Sequence, residues 1–320
     1  MEGPYRLVTR LDPSPSPESP GGPGSPGNPP PPYRRFVARS ADGEHTVLLT
    51  APPPGADPGR FRTEAETAQR LTAPWTLPVT GTGTGSGSQR GTGTGSPSGG
   101  GDGGAWYVTP YVPALPLPVA LAVHGGPLPE ATVRVIGAAL AETLTALHAQ
   151  GVAHAGVTPA AVLLTADGPR LTCFGAARVA EPADHGARPP ERASGGVPRP
   201  PGDVYGLGAV LAYAATGHTV PEREDLPPAL RPVIASCLTR EPADRPAAAA
   251  LFGALAPPTP HATVLGSAAT LLRPGWLPAR VVAALAHQSA SLLAAELAAD
   301  PVEGADGRAP SPGPGPAPRN

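Results

Sequence analysis

Two adjoining stretches, GVAHAGVTPAAVLL at 151–164 and TADGPRLTCFGAARV at 165–179, hold the side chains best suited to chemistry. His154 and Cys173 are the types that supply a base and a nucleophile. A reactive thiolate needs such a base together with an electropositive setting. The commoner role of a free cysteine is a small buried residue, and that is the reading preferred for Cys173. A G-x-G-x-x-G string occurs at Gly99, Gly101 and Gly104. It lies in low-complexity sequence and precedes a strand rather than a helix, so it is not taken as a phosphate-binding turn.

Composition narrows the chemistry further. All 23 residues of the Lys+Arg total are arginine, so no step can use a lysine amine. The formal net charge is −2 and no basic cluster tracks a polyanion, which argues against a nucleic-acid partner. Cys173 and Cys237 are too few for a disulfide framework or a four-cysteine metal site. The start MEGPYRLVTR lacks the apolar core of a signal peptide. No run reaches the ~18 apolar residues of a membrane span. A cytoplasmic protein with no membrane span is expected.

The elements that must position these residues fall in two groups. Residues 5–11, 33–40, 45–51 and 105–112 read as strands, with a turn at Ala41-Asp42-Gly43-Glu44 and a short helix over 59–71. The Pro- and Gly-rich stretches 12–32 and 81–104 interrupt them as flexible insertions. Helical signals then dominate. Val133, Ile136, Leu140, Leu144 and Leu147 recur at helical spacing before Gly151, and 203–217 is apolar nearly all round. Leu230, Val233, Ile234, Cys237 and Leu238 give another helix, and Val282, Leu285, Leu292, Leu293 and Leu297 a last one. A small β-rich part before a larger helical part fits several α+β folds.

The order of elements and the residues at 151–175 resemble the eukaryotic-like Ser/Thr protein kinases of actinobacteria. In that family H-R-D-x-K-P-x-x-N is followed by two short strands and D-F-G. Here the matching residues are His154 to Ala161, then VLL, a turn at Asp167-Gly168, and Cys173-Phe174-Gly175. Pro189-Pro190-Glu191 stands where the family has A-P-E, Asp203-Val204-Tyr205-Gly206-Leu207-Gly208 matches the start of its central helix, and Asp244-Arg245-Pro246 matches a later segment. The resemblance covers about residues 3–256, and WLPARVVAAL at 276–285 is similar to a helix that often follows these domains. It implies a bilobal protein-kinase-like α+β fold. Residues 1–113 would form a β-rich N-lobe with one helix and insertions at 12–32 and 81–104. Residues 114–256 would form a mainly helical C-lobe, 257–300 a linker and helix, and 301–320 a disordered tail.

The resemblance also assigns roles by position. The proton-accepting aspartate falls on Gly156, the neighbouring lysine on Thr158, and the metal-binding asparagine on Ala161. The D-F-G aspartate falls on Cys173, a poor donor for magnesium, and the phosphate-holding lysine of the third strand on Thr50. Five such replacements lead to the expectation that the chain is not an enzyme but a pseudokinase, with no metal and no cofactor. Structural positions match instead: Glu64 in the regulatory helix, His154 and Phe174 in the spine joining the lobes, Asp203 as an anchor of the loop backbone, and Glu191 with Arg245 as a buried ion pair. The expected role is regulatory or scaffolding, with another protein, a kinase or kinase substrate, as partner. The alternatives are adenine binding without magnesium, through the Pro110 carbonyl and the Val112 N–H, and, ranked after it, an active Ser/Thr protein kinase.

Overall fold

The computed structural model describes residues 5–11, 34–52, 57–84, 105–172, 188–255 and 267–299. Its small lobe is an antiparallel five-stranded sheet. β1 (Tyr5–Arg10), β2 (Arg34–Ser40) and β3 (Thr46–Ala51) are followed in space by β5 (Ala105–Pro110) and then β4 (Gly81–Thr84). The β2–β3 hairpin turns at the predicted residues. Gly43 takes φ +75°, where a side chain would be strained, and its N–H donates to the Ser40 carbonyl at 2.9 Å. Helix α1 (Pro58–Arg70) starts on Asp57, whose carboxylate accepts the Gly59 and Arg60 N–H groups. Its buried Phe61 stacks on Tyr107 of β5 and holds the helix against the sheet.

Strand β4 departs from expectation. Residues 81–84 belong to the stretch read as a flexible insertion, yet each pairs with a residue of β5. The pairing is made by backbone groups, which a Thr-Gly repeat supplies as well as any other sequence. Gly83 also admits the Trp106 ring, since a Cβ there would lie 2.2 Å from Trp106 Cζ2. The other insertion residues, 12–32 and 85–104, and the tail 301–320 lie outside the described residues.

A short connection leads from β5 through β6 (Leu115–Pro116) to α2 (Leu117–His124) and the long α3 (Glu130–Ala149). Then come β7 (Val162–Thr165) and β8 (Gly168–Leu171), which with β6 make a three-stranded sheet in the order β6-β7-β8. The predicted turn at Asp167-Gly168 joins them, with Gly168 at φ +122° beneath the Trp75 ring. The large-lobe core gathers around α3 and α5 (Pro200–Thr216), the latter following the one-turn α4 (Pro190–Ala193). α5 is buried nearly all round, including Leu207, Ala209, Val210 and Leu211, as its uninterrupted apolar sequence requires. α6 (Arg231–Cys237) and α7 (Ala248–Leu255) close the bundle.

The last helix, α8 (Ala279–Ala299), forms where predicted, and its buried face matches the predicted one only in part. Val281 and Leu285 are buried, while Val282 and Leu293 are exposed. In a helix this rich in alanine the sequence pattern is nearly continuous, and packing buries Leu285 as expected but Val281 in place of Val282. Among the described residues, no helix is long and apolar enough to cross a membrane.

Candidate functional site

The loop between α3 and β7 is held from below by one carboxylate. Asp203, in the first turn of α5 and 2% exposed, accepts the His154 N–H at 2.7 Å and the Ala155 N–H at 2.7 Å. His148, in the last turn of α3, places Nε2 2.9 Å from the same carboxylate. Three donors on one buried carboxylate meet the cost of burying its charge. They also fix Ala155 at φ +64°, a left-handed conformation that a residue with a Cβ adopts only when its surroundings impose it.

His154 ties the loop to the end of β8. Its Nε2 lies 2.8 Å from the Thr172 carbonyl, and because a carbonyl can only accept, that nitrogen carries the proton. The Thr172 N–H and hydroxyl in turn donate to the Ala161 carbonyl at 2.9 and 3.0 Å. Ala161 itself is fully buried beside buried Pro159, whereas Gly156 and Thr158 are only partly covered. The loop is thus a rigid bridge between α3, α5 and β8.

In the small lobe, Thr50 is buried on β3 opposite Tyr107 of β5. Glu64 lies half-buried on α1, between buried Phe61 and Ala65. At the hinge, Pro110 is exposed at the end of β5 and Val112 is half-buried. The intervening Tyr111 N–H donates to the Thr46 carbonyl at 3.1 Å. Cys173 and Phe174 lie outside the described residues.

The predicted ion pair is present and bidentate. Arg245 Nη1 and Nη2 donate to Glu191 Oε1 and Oε2 at 2.7 and 2.8 Å. The same guanidinium donates to the carbonyls of Thr239, Pro201 and Arg240 and lies over the Tyr205 ring. Its hydrogen bonds hold the Glu191 carboxyl below the usual glutamate range, against the opposing effect of burial.

Sequence reasoning missed a second hub. Glu142 Oε2 on α3 accepts from Trp75 Nε1 at 2.7 Å, the Ala268 N–H at 2.8 Å and the Ser267 hydroxyl at 3.1 Å. It therefore fastens the segment leading into β4, and the start of the C-terminal segment, to the large lobe. The Thr143 hydroxyl adds a bond to the Pro74 carbonyl. His148 was missed as well, because its carboxylate partner lies 55 residues away on α5 and nothing local marks the pairing.

Comparison with known proteins places this arrangement. The chain is 30% identical over 279 residues to the serine/threonine-protein kinase AfsK of Streptomyces coelicolor, a match spanning 77% of this chain and 32% of that protein. It is 31% identical over 284 residues to the probable serine/threonine-protein kinase PkwA of Thermomonospora curvata, spanning 79% and 34%. The chain belongs to the protein-kinase-like family. The fold agrees: the kinase domain of Mycobacterium tuberculosis PknI superposes with a TM-score of 0.57 at 23% identity, over 80% of this chain and 97% of that domain. No family model matches the chain. The match spans about a third of the length of these curated relatives.

This finding corrects one expectation. The replacements at Thr50, Gly156, Thr158, Ala161 and Cys173 led to the reading that the kinase-like chain is not an enzyme. Its relatives are named Ser/Thr protein kinases, and the solved structures sharing its fold are kinase domains. That overturns the reading. The reading rested on five side-chain identities assigned by motif position alone, and of these positions Cys173 lies outside the described residues.

Proposed function

We propose that the kinase-like chain works in signalling as a regulatory module that recognises another protein, itself a kinase or a kinase substrate. The observation that supports this most is the hydrogen-bonded frame of the large lobe among the described residues. The Asp203 cradle and the bidentate Glu191–Arg245 pair hold the loop at 152–161 and the segment at 189–199 in fixed positions. Surfaces held this rigidly lose little freedom on binding and therefore suit the docking of a protein. The test pairs two measurements on the purified 320-residue chain. One is saturable binding to a reconstituted partner identified by cross-linking in the host, with Glu191→Ala weakening it. The other is phosphate transfer from ATP in the same preparation. Phosphate transfer without saturable binding to any protein other than a transient substrate would overturn the regulatory reading.

A second reading, adenine binding at the hinge without metal, is favoured by one feature. The Tyr111 N–H is turned toward Thr46, and an extended chain alternates its polar groups. The Pro110 carbonyl and Val112 N–H are thereby left for the opposite side. A thermal shift with ATP that is equal with and without magnesium supports this reading, and no shift refutes it.

A further inference from the structure

The segment from Ser267 to the end of α8 touches both lobes. It begins on the large lobe, where Glu142 accepts from the Ser267 hydroxyl and the Ala268 N–H. The Thr132 hydroxyl donates to the Trp276 carbonyl at 2.6 Å, and Trp276 Nε1 donates to the Ala166 carbonyl at 3.1 Å. Leu277, Val281 and Leu285 are then buried in the large-lobe core. Farther along α8, Gln288 Oε1 accepts the Ala114 N–H at 2.9 Å, in the connection that joins the lobes. Two turns beyond, Glu296 Oε2 receives Arg39 Nη2 of β2 at 2.8 Å, and α8 packs against β1. From Val281 to Glu296 the helix covers roughly 22 Å at its rise per residue. That is enough to run from one lobe past the hinge to the other.

We infer that α8 is a strap alongside the hinge that sets the angle between the two lobes, with Gln288 and Glu296 as its positioning residues. Its two ends are held differently. The large-lobe end is fixed by apolar burial. The small-lobe end depends on a partly exposed ion pair, whose Arg39 and Glu296 side chains are 29% and 15% exposed. Glu296 Oε1 and the Tyr111 hydroxyl are both buried without a hydrogen-bond partner among the described residues. The small-lobe end is therefore the one that releases first, and release frees the hinge. This inference is independent of whether the module docks a protein.

The test uses the full chain, spin-labelled at exposed Glu44 in the small lobe and Glu241 in the large lobe. Wild type gives one narrow interlobe distance. Gln288→Ala and Glu296→Ala broaden it, and exchange of the Ala114 amide hydrogen accelerates by about tenfold or more. The swapped pair Arg39→Glu with Glu296→Arg restores the narrow distribution. Equal widths in wild type and a folded Glu296→Ala chain overturn the strap. If Glu296→Ala fails to fold, the swapped chain decides: a narrow distance supports the strap, and a folded chain with a broad one refutes it.

Discussion

Replacing Asp203 with Ala removes the acceptor shared by the His154 and Ala155 N–H groups and leaves His148 facing an apolar methyl. Hydrogen bonds to a charged group contribute about 1.5–3 kcal/mol each, so the two backbone bonds together amount to about 3–6 kcal/mol. The loss is partly offset because Ala155, no longer held at φ +64°, can relax a strain of about 1–3 kcal/mol. From the middle of both ranges a net cost of about 2–3 kcal/mol follows. In a folded body of this size that lowers the melting temperature by roughly 4–12 °C. Asp203→Asn keeps one acceptor oxygen but turns an NH₂ donor toward the second N–H, so it recovers no more than about half of the loss. Ala155→Gly removes the left-handed strain and stabilises the wild-type background by roughly 0.5 kcal/mol. It brings no gain in the Asp203→Ala background, where the loop is already free to relax. The four chains, melted under calorimetry at neutral pH, form a double-mutant cycle with an interaction energy of about 0.5 kcal/mol or more. An Asp203→Ala chain within about 1 °C of wild type would refute this account of the loop. A strictly additive cycle would refute the strain argument alone.

Other outcomes follow from the same packing. Glu191→Ala strands the buried Arg245 charge and costs about 3–5 kcal/mol in urea unfolding. Because Arg245 lowers the folded-state pKa of Glu191 below its unfolded value, the pair stabilises the fold at neutral pH. That contribution fades as acid titrates below about pH 4, and Glu191→Gln flattens this part of the stability–pH curve. Gly208→Ala places a Cβ 2.6 Å from Cys237 Cβ between α5 and α6 and destabilises by about 1–3 kcal/mol. Gly253→Ala, with nothing within 4 Å, stabilises α7 by about 0.5–1 kcal/mol in the same assay. Burial pushes the Cys237 thiol up to about 12, so iodoacetamide at pH 8 alkylates it no faster than the chain unfolds. Since the unfolded thiol ionises first, near pH 8.5, stability declines as pH rises above that value.

Much of the fold was legible because burial leaves a periodic mark. The leucine and valine spacing of α3 and the unbroken apolar run of α5 state which surfaces meet the core, and Gly217 at φ +84° ends α5 where the sequence places a glycine. β4 was not legible, because Gly81–Thr84 bonds through its backbone and its Thr-Gly sequence reads as linker. The buried stripe of α8 was legible only in part: Leu285 is buried as its spacing implies, but Val281 rather than the equally apolar Val282 meets the core. The hub at Glu142 depends on Trp75, 67 residues away, and Ala268, 126 residues away. Nothing local marks such a meeting.

The site divides along the same line. Pairings between family positions, such as Glu191 with Arg245, were legible because each motif fixes its own partner. The chemistry was not, and the reason is physical. A side chain missing from one position removes one contribution to a rate, whereas the loop that carries the position is built by Asp203, His148 and His154. Those bonds depend on no residue at 50, 156, 158 or 173. Similarity to AfsK and PkwA over more than three quarters of the chain therefore measures the frame, and it is the frame that places Gly156 and Thr158 between α3 and β7. Here the frame holds Ala155 at φ +64°, a conformation imposed by the Asp203 carboxylate that accepts its N–H.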